Sequence, residues 1–283
     1  MRKQRSLFTD VKNHIQDYRN FKIYTILFAI LLAVALIVII RLLTVWLEGS
    51  AAERGYRDLR QFSPGDSYME QYTEIEPGQL IHGFEPERDD DDKDDDEDED
   101  EEPQPPEGVR LVPDPALVNI NSHYAGWIRI ANTRVDYPMV QSDNVRYLNT
   151  TFWGTHNRAG TIFLDERNPR QFNGTLVIIY GHNTTTGGMF GSLHNYTNRD
   201  YMARHPDITI FTRDGDVLTY RVIAAFNTTI YDTLFTLFNA DEEQIFNYFS
   251  EHGIPSDSTN FLALSTCITS DSDDDRFIVL AVR

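Results

Sequence analysis

The sequence of 283 residues contains a single cysteine, Cys267. One thiol cannot form an intramolecular disulfide bond, so the fold does not depend on a disulfide framework. The chain is also poor in basic residues, with 25 Lys and Arg against 44 Asp and Glu, and its formal net charge is −19. This balance argues against a nucleic-acid-binding protein, which needs a positively charged surface.

Most of the negative charge lies in one segment, residues 89–102, which contains thirteen acidic residues and Lys93. Such a composition buries too little apolar surface to offset the entropy lost on ordering, so we expect residues 85–108 to be disordered. Repulsion between like charges would extend this segment into a spacer. Binding of calcium or of a cationic polymer is the alternative function for these carboxylates.

An uncharged apolar run occupies residues 23–40, and residues 42–47 extend it beyond Arg41. At about 1.5 Å per residue, a helix over residues 23–47 is long enough to cross a hydrocarbon core of about 30 Å. The chain before it contains six basic residues and only two acidic ones. The positive-inside tendency therefore predicts a cytoplasmic basic tail over residues 1–22 and an extracellular C-terminal part.

A cleaved signal peptide is the alternative interpretation of this N-terminal segment. The small residues at 49–52 would suit a cleavage site. The apolar run is longer than the usual hydrophobic region of a signal peptide, about 7–15 residues, which favours a membrane anchor.

From residue 109 onward, the sequence changes to short apolar runs that are rich in β-branched and aromatic residues and separated by turns, a pattern typical of strands. These runs are 124–130, 133–141, 160–165, 174–182, 208–212, 217–230, 261–267 and 276–282. Residues 213–216 predict a hairpin turn. Eight or so short strands indicate a closed barrel or a sandwich over residues 109–283, with a linker over residues 48–108.

Two helices are expected among these strands. Residues 239–253 begin with acidic residues, end at a glycine and place Ile245, Phe246 and Phe249 on one side, as an amphipathic helix does. A second, short helix is expected at residues 188–196. The fold class is therefore mainly β with a few peripheral helices.

Three residues suggest a catalytic site at strand ends. Cys267 ends one predicted strand and Arg276 begins the next, so pairing of these strands would place the guanidinium near the thiol. A reactive cysteine needs a cationic or basic neighbour, and arginine is suited to hold an oxyanion. His182 ends another apolar run and is the best candidate among the eight histidines for a proton-handling partner. Taken one at a time, each residue also fits a structural role, with the cysteine as a small buried apolar side chain.

Several blocks of the sequence, in order, resemble the sortase family, and its class B branch in particular. The blocks are "GWIRI" at 126–130, "TRVDYPMVQSDNVRYL" at 133–148, "GTIFLDERN" at 160–168, "YGHN" at 180–183, "GGMFGSLHNY" at 187–196 and "LSTC" at 264–267, followed by Arg276. The resemblance covers residues 117–283. It implies a closed eight-stranded sortase-like β-barrel that is preceded by one transmembrane helix.

The resemblance also implies a reaction, cysteine transpeptidation. Cys267 would attack the carbonyl of a threonine in a C-terminal sorting motif and form a thioester. His182 would protonate the leaving amine and later deprotonate the incoming one, while Arg276 would hold the substrate backbone and the oxyanion. Further substrate contacts are expected from four residues: Tyr180, Asn183, Ser265 and Thr266.

The partners implied by the resemblance are secreted proteins that carry a sorting motif and an amine of peptidoglycan or of its lipid-linked precursor. No metal, nucleotide or other cofactor is implied. The location would be the membrane of a Gram-positive-type bacterium, with a single span and an extracellular catalytic domain. The alternatives are a non-catalytic, membrane-anchored surface binding module with a buried, inert Cys267 and an enzyme that transfers the acyl group to water.

The loop after Cys267 departs from the family pattern. Some class B members carry an acidic residue two positions after the cysteine, where this sequence has Thr269. Four aspartates follow between residues 271 and 275, and their charge opposes ionisation of a nearby thiol. A calcium site formed by these carboxylates is the alternative to a solvated acidic loop.

Overall fold

A computed structural model describes residues 2–64, 115–184, 186–254, 260–268 and 274–283. The predicted acidic spacer, Thr269 and the first aspartates of the predicted calcium loop, Asp271 and Asp273, lie outside these ranges. The chain forms two units, Met1–Glu48 and Gly49–Arg283.

The first unit consists of most of helix α1, Arg2–Leu59. Large apolar side chains from Ile23 to Leu47 are exposed along it. Within Lys22–Phe62 the helix is long and apolar enough to cross a membrane, which makes it a candidate span. This finding agrees with the predicted transmembrane helix at residues 23–47.

The second unit contains eight strands. They are β1 Tyr124–Arg129, β2 Asp136–Val140, β3 Ile162–Leu164, β4 Leu176–Tyr180, β5 Asp207–Thr212, β6 Val217–Thr229, β7 Phe261–Cys267 and β8 Asp275–Val282. The strands form a closed barrel in the order β1-β2-β3-β4-β7-β8-β6-β5. The pairs β2–β3 and β4–β7 are parallel and the others are antiparallel. The predicted closed barrel is confirmed, and the sandwich alternative is wrong.

Alternate residues of β4, β7 and β8 pack into two separate cores, as the period of two in a strand requires. Val177, Ile179, Leu264 and Val279 belong to a larger core that includes the fully buried Trp127. The opposite side chains, Ile178, Ala263, Ile278 and Leu280, belong to a second core together with residues of the segment 234–249. The apolar runs of the sequence are continuous because these strands are covered on both faces.

Short helices surround the barrel. They are α2 Pro115–Ile120, α3 Arg199–Arg204 and α4 Glu242–Glu251, with 3₁₀ helices at Arg60–Phe62, Arg146–Leu148, Gly191–Thr197 and Thr233–Asn239. Asp241 and Gln244 form a capping box at the start of α4. The predicted amphipathic helix is thus present, but its buried residues are Ile245, Tyr248 and Phe249. Phe246 is 43% exposed, so its predicted place on the buried face is wrong.

The last turns of α1 pack against the barrel. Ala52, Tyr56 and Leu59 are buried in the larger core, at the spacing that places residues on one face of a helix. The Tyr56 hydroxyl donates a hydrogen bond of 2.6 Å to the carbonyl of Gly160 and accepts one of 3.1 Å from the backbone N–H of Phe152. The predicted linker over residues 48–108 therefore begins with a segment that belongs to the barrel unit.

We expect Tyr56→Phe to destabilise the barrel unit by about 1–3 kcal/mol, because the substitution leaves a buried N–H and a buried carbonyl without their partner. Denaturant unfolding of the full chain in detergent, followed by near-UV circular dichroism, measures this difference. Tyr231 is 77% exposed and offers a matched control. Tyr231→Phe should change stability by less than about 0.5 kcal/mol, and equal stability of the two variants would contradict the structural role of the Tyr56 hydroxyl.

Candidate active site

The strand register brings Cys267, His182 and Arg276 to one edge of the barrel. Tyr180 of β4 is paired with Ser265 of the parallel strand β7. His182 and Cys267 each follow that pair by two residues, so they lie level and share the face of Tyr180 and Ser265. Arg276 of β8 pairs directly with Cys267 across the antiparallel ladder, which confirms the predicted pairing of these two strands.

A cavity of about 280 Å³ lies at this edge. Six of the residues predicted from the sequence line it: Cys267, His182, Arg276, Tyr180, Ser265 and Thr266. Cys267 is half-buried, so the thiol is not enclosed in the core. The arrangement presents a nucleophile, a base and a cation to one concave surface, as covalent catalysis requires.

The hydrogen bond of His182 defines its proton-accepting nitrogen. Its Nε2 lies 2.6 Å from the carbonyl oxygen of Leu148. A carbonyl only accepts, so Nε2 carries the proton and Nδ1 is the basic nitrogen of the neutral ring. Burial lowers the pKa of His182, and the positive charges of Arg276 and Arg158 lower it further, against the opposing effect of the Leu148 hydrogen bond.

Replacing Arg276 should therefore raise the pKa of His182. In Arg276→Gln, the positive charge that opposes protonation of the ring is lost, so the imidazolium becomes more stable. A ring-proton NMR titration of the full chain in detergent measures the shift. Arg276→Lys keeps the positive charge, so the pKa of His182 in that variant should stay close to the wild-type value. A His182 pKa that is unchanged or lower in Arg276→Gln would contradict this coupling.

Asn183 holds the backbone at the end of β7. Its Nδ2 donates to the carbonyl oxygens of Cys267, at 3.2 Å, and Ile268, at 3.1 Å. Nε2 of His194 lies 3.0 Å from the same Cys267 carbonyl oxygen. The centroid of the His194 ring lies 4.6 Å from the centroid of the Phe277 ring. These contacts fix the path of the chain beside the thiol. The predicted substrate contact of Asn183 stays a prediction, since its amide nitrogen already contacts this backbone.

Ser265 and Thr266 are buried, with exposures of 1% and 2%. Neither hydroxyl finds a hydrogen-bond partner among the residues that the structure describes. Strand alternation places Ser265 on the face of Cys267 and Thr266 on the opposite face. A buried hydroxyl without a partner costs free energy, which a hydrogen bond to a bound ligand recovers. Ser265 is therefore the better placed of the two for a substrate contact.

The acidic loop is only partly described. Asp274 and Asp275 are exposed. The Asp274 carbonyl accepts a hydrogen bond of 2.8 Å from the backbone N–H of Ile230, and the Asp275 carbonyl accepts one of 3.0 Å from the Arg276 guanidinium. In this part of the loop, backbone carbonyl groups rather than carboxylates accept these two hydrogen bonds. The predicted calcium site stays a prediction, since its other carboxylates lie outside the described residues.

Six residues that line the cavity were not predicted as site residues from the sequence. They are Asn144, Leu148, Phe163, Gly181, Ile230 and Phe235. Most of them lie in connections between strands, whose paths do not follow from hydrophobic periodicity. Asn144, Leu148, Phe163 and Gly181 fall within the blocks that resemble sortases, and this resemblance is the only signal that the sequence contained for them.

A family model for the sortase domain matches residues 128–283, just over half of the chain. The chain belongs to the sortase family. Sortase B of Listeria monocytogenes is 38% identical over 116 residues, covering 40% of this chain and 46% of that protein. Sortase B of Staphylococcus aureus is 29% identical over 178 residues, covering 59% and 72%. The chain thus spans slightly less than half of the Listeria sortase.

The barrel also resembles solved sortase structures. A Staphylococcus aureus sortase B–substrate complex matches with a TM-score of 0.62 and 24% identity, covering 83% of this chain and 97% of that one. A class B sortase of Streptococcus pyogenes matches with a TM-score of 0.52 and 27% identity. These findings confirm the predicted family, its class B resemblance and the sortase-like barrel, and the predicted enzyme class agrees with them.

Proposed function

We propose that this sortase is a class B-like cysteine transpeptidase that cleaves a C-terminal sorting motif after threonine. The observation that carries the proposal is the convergence of Cys267, His182 and Arg276 on one cavity through the β4–β7–β8 register. The half-buried thiol favours this function over a binding module with an inert, fully buried cysteine.

In the first step, the neutral His182 accepts the thiol proton of Cys267, and Sγ attacks the threonine carbonyl carbon. Arg276 donates hydrogen bonds to the oxyanion that develops, and its fixed positive charge stabilises that intermediate. The protonated His182 gives its proton to the leaving nitrogen, the C–N bond breaks, and the threonine carbonyl stays on sulfur as a thioester. The C-terminal fragment leaves with a free amine.

In the second step, an acceptor amine attacks the thioester carbonyl. His182 accepts the proton that this amine loses, the C–S bond breaks, and the thiolate of Cys267 leaves. The new amide joins the substrate to the acceptor. His182 then gives this proton to the Cys267 thiolate, which restores the neutral ring and the thiol for the next cycle.

The substrates are, in this proposal, secreted proteins with a sorting motif and an amine of peptidoglycan or its lipid-linked precursor. Residues 23–47 would anchor the enzyme in the membrane, with residues 1–22 in the cytoplasm and the catalytic domain, 109–283, outside. The long apolar stretch of α1 supports the membrane anchor, and the basic residues before it support a cytoplasmic N-terminus.

Product analysis with the full chain in detergent tests the proposal. A peptide set varied around a threonine–glycine or threonine–asparagine bond is incubated with and without a glycine oligomer as amine. Transpeptidation predicts cleavage after threonine and an amide-linked product only with the amine. Cleavage to the free acid under both conditions indicates an enzyme that uses water. An uncleaved peptide set, together with a Cys267 that is alkylated only after unfolding, indicates a binding module.

A further inference from the structure

We propose, on the basis of the proposed transpeptidase function, that Asp165 is a positioning residue that assembles one wall of the substrate cavity. Asp165 follows strand β3 and does not line the cavity itself. It acts through three neighbours that come from separate parts of the chain. Its removal should therefore weaken substrate binding without removing any group that takes part in the chemistry.

The Asp165 carboxylate is fully buried and receives donors on both oxygens. Arg167 donates its Nε to Oδ1 at 2.9 Å and a terminal nitrogen to Oδ2 at 2.8 Å. The Tyr180 hydroxyl donates to Oδ2 at 2.9 Å, and Nδ2 of Asn144 donates to the same oxygen at 3.1 Å. A buried carboxylate is tolerated only when it is paired in this way, so its partners are held in fixed positions.

Two of these partners line the cavity. Asn144 and Tyr180 both face it, and Tyr180 precedes His182 by two residues. The Tyr180 ring is stacked on that of Phe235, with centroids 6.4 Å apart, and lies 5.2 Å from the ring of Phe163. The hydroxyl bond to Asp165 therefore fixes an aromatic ring that contacts two other residues of the cavity.

Arg167 extends the same network to the 3₁₀ helix Thr233–Asn239. One terminal nitrogen donates to the carbonyl of Phe235 at 3.1 Å, and the guanidinium lies 3.8 Å from the ring centroid of Phe238. Phe235 lines the cavity. Because Asp165 orients the guanidinium through two parallel bonds, it also holds this helix against the barrel.

Asp165 stays ionised in this setting. Burial alone would raise its pKa, but the donors from Arg167 and Tyr180 outweigh that effect and hold the pKa below its usual value. An asparagine at this position replaces one accepting oxygen by a donor. It cannot receive Tyr180, Asn144 and both guanidinium nitrogens together, so the wall loses part of its support.

The first measurement is the peptide kinetics of Asp165→Asn in the full chain. The loss of hydrogen bonds to a charged group should raise KM about tenfold or more, with a smaller change in kcat. The alkylation rate of Cys267 should stay within about twofold of the wild type, because the thiol keeps its surroundings. An unchanged KM, or a loss confined to kcat, would overturn the role of Asp165.

The matched control is Asp207→Asn. Asp207 is paired with Arg221 at 3.3 Å, and Arg221 lies opposite Val282, at the far end of β8 from Arg276. The same chemical change there should leave KM unaltered.

Tyr180→Phe keeps the ring and removes only its hydroxyl, so it should raise KM by a few-fold. If Asp165→Asn does not fold, the KM of Tyr180→Phe decides, and an unaltered KM in Tyr180→Phe overturns the proposal.

Hydrogen exchange gives a readout that needs no substrate. Backbone amides of the helix Thr233–Asn239 should exchange faster in Asp165→Asn than in the wild type, while those of β5 and β6 stay unchanged. If the wild type cleaves no peptide, the proposed function fails, yet this comparison still decides on Asp165. Unchanged exchange of the helix overturns the positioning role whatever the activity shows.

Discussion

Cys267→Ala is expected to abolish peptide cleavage, with a loss in kcat of about 10⁴-fold or more. Cys267 is the only thiol in the chain, so no other side chain can form the thioester. The variant should fold normally, because Cys267 is half-buried at the end of a strand and its truncation leaves no cavity in the core. Cleavage is measured by chromatography of the peptide products, and folding by near-UV circular dichroism.

The covalent intermediate provides the second half of this test. Wild-type enzyme incubated with a peptide but no amine should gain the mass of the acyl fragment, and hydroxylamine should remove it. Tryptic mapping should place the adduct on Cys267. Cys267→Ala should bind the same peptide and show no adduct. Retention of activity in the variant, or an adduct at another residue, would exclude Cys267 as the nucleophile.

The strands of this fold were predictable because their signal is local. All eight apolar runs coincide with strands, and the turn at 213–216 joins β5 to β6 as a hairpin. The parallel pairing of β4 with β7 was not predictable from the residues alone, since about 80 residues separate the strands. The approach of His182 to Cys267 depends on that pairing. Because the residues alone did not predict this pairing, only the resemblance to sortases connected His182 with Cys267.

Other features escaped prediction because burial depends on distant neighbours. The packing of Ala52, Tyr56 and Leu59 on the barrel follows a helical spacing, but the spacing merges with the apolar run before it. Phe246 was misplaced because helical geometry puts Tyr248, at three residues from Ile245, on the buried face instead. Asp165 gave no sign of burial, since a charged residue is usually exposed unless it is paired.

His182→Ala is expected to lower kcat for peptide cleavage by about 10²- to 10⁴-fold, the range typical of general acid–base catalysis. An amine leaves only when it is protonated. His182 lines the cavity and is, in the proposed mechanism, the donor of that proton. A peptide thioester has a leaving group that needs no proton. The variant should therefore hydrolyse or transfer a thioester substrate with a much smaller loss, and this difference identifies the step that His182 serves.

The pH profile adds an independent criterion for His182. Its pKa is lowered by burial and by Arg276, so the ring is neutral at pH 7. As pH falls through that lowered value, ring and thiol both carry protons, the ring can no longer accept the thiol proton, and the rate should fall. This acidic limb should lie below the ordinary histidine value of about 6.5 and be absent in His182→Ala. His156 is exposed, and His156→Gln should keep both the rate and the limb. Equal losses on peptide and thioester substrates, or a limb that persists in His182→Ala, would show that another group carries the proton.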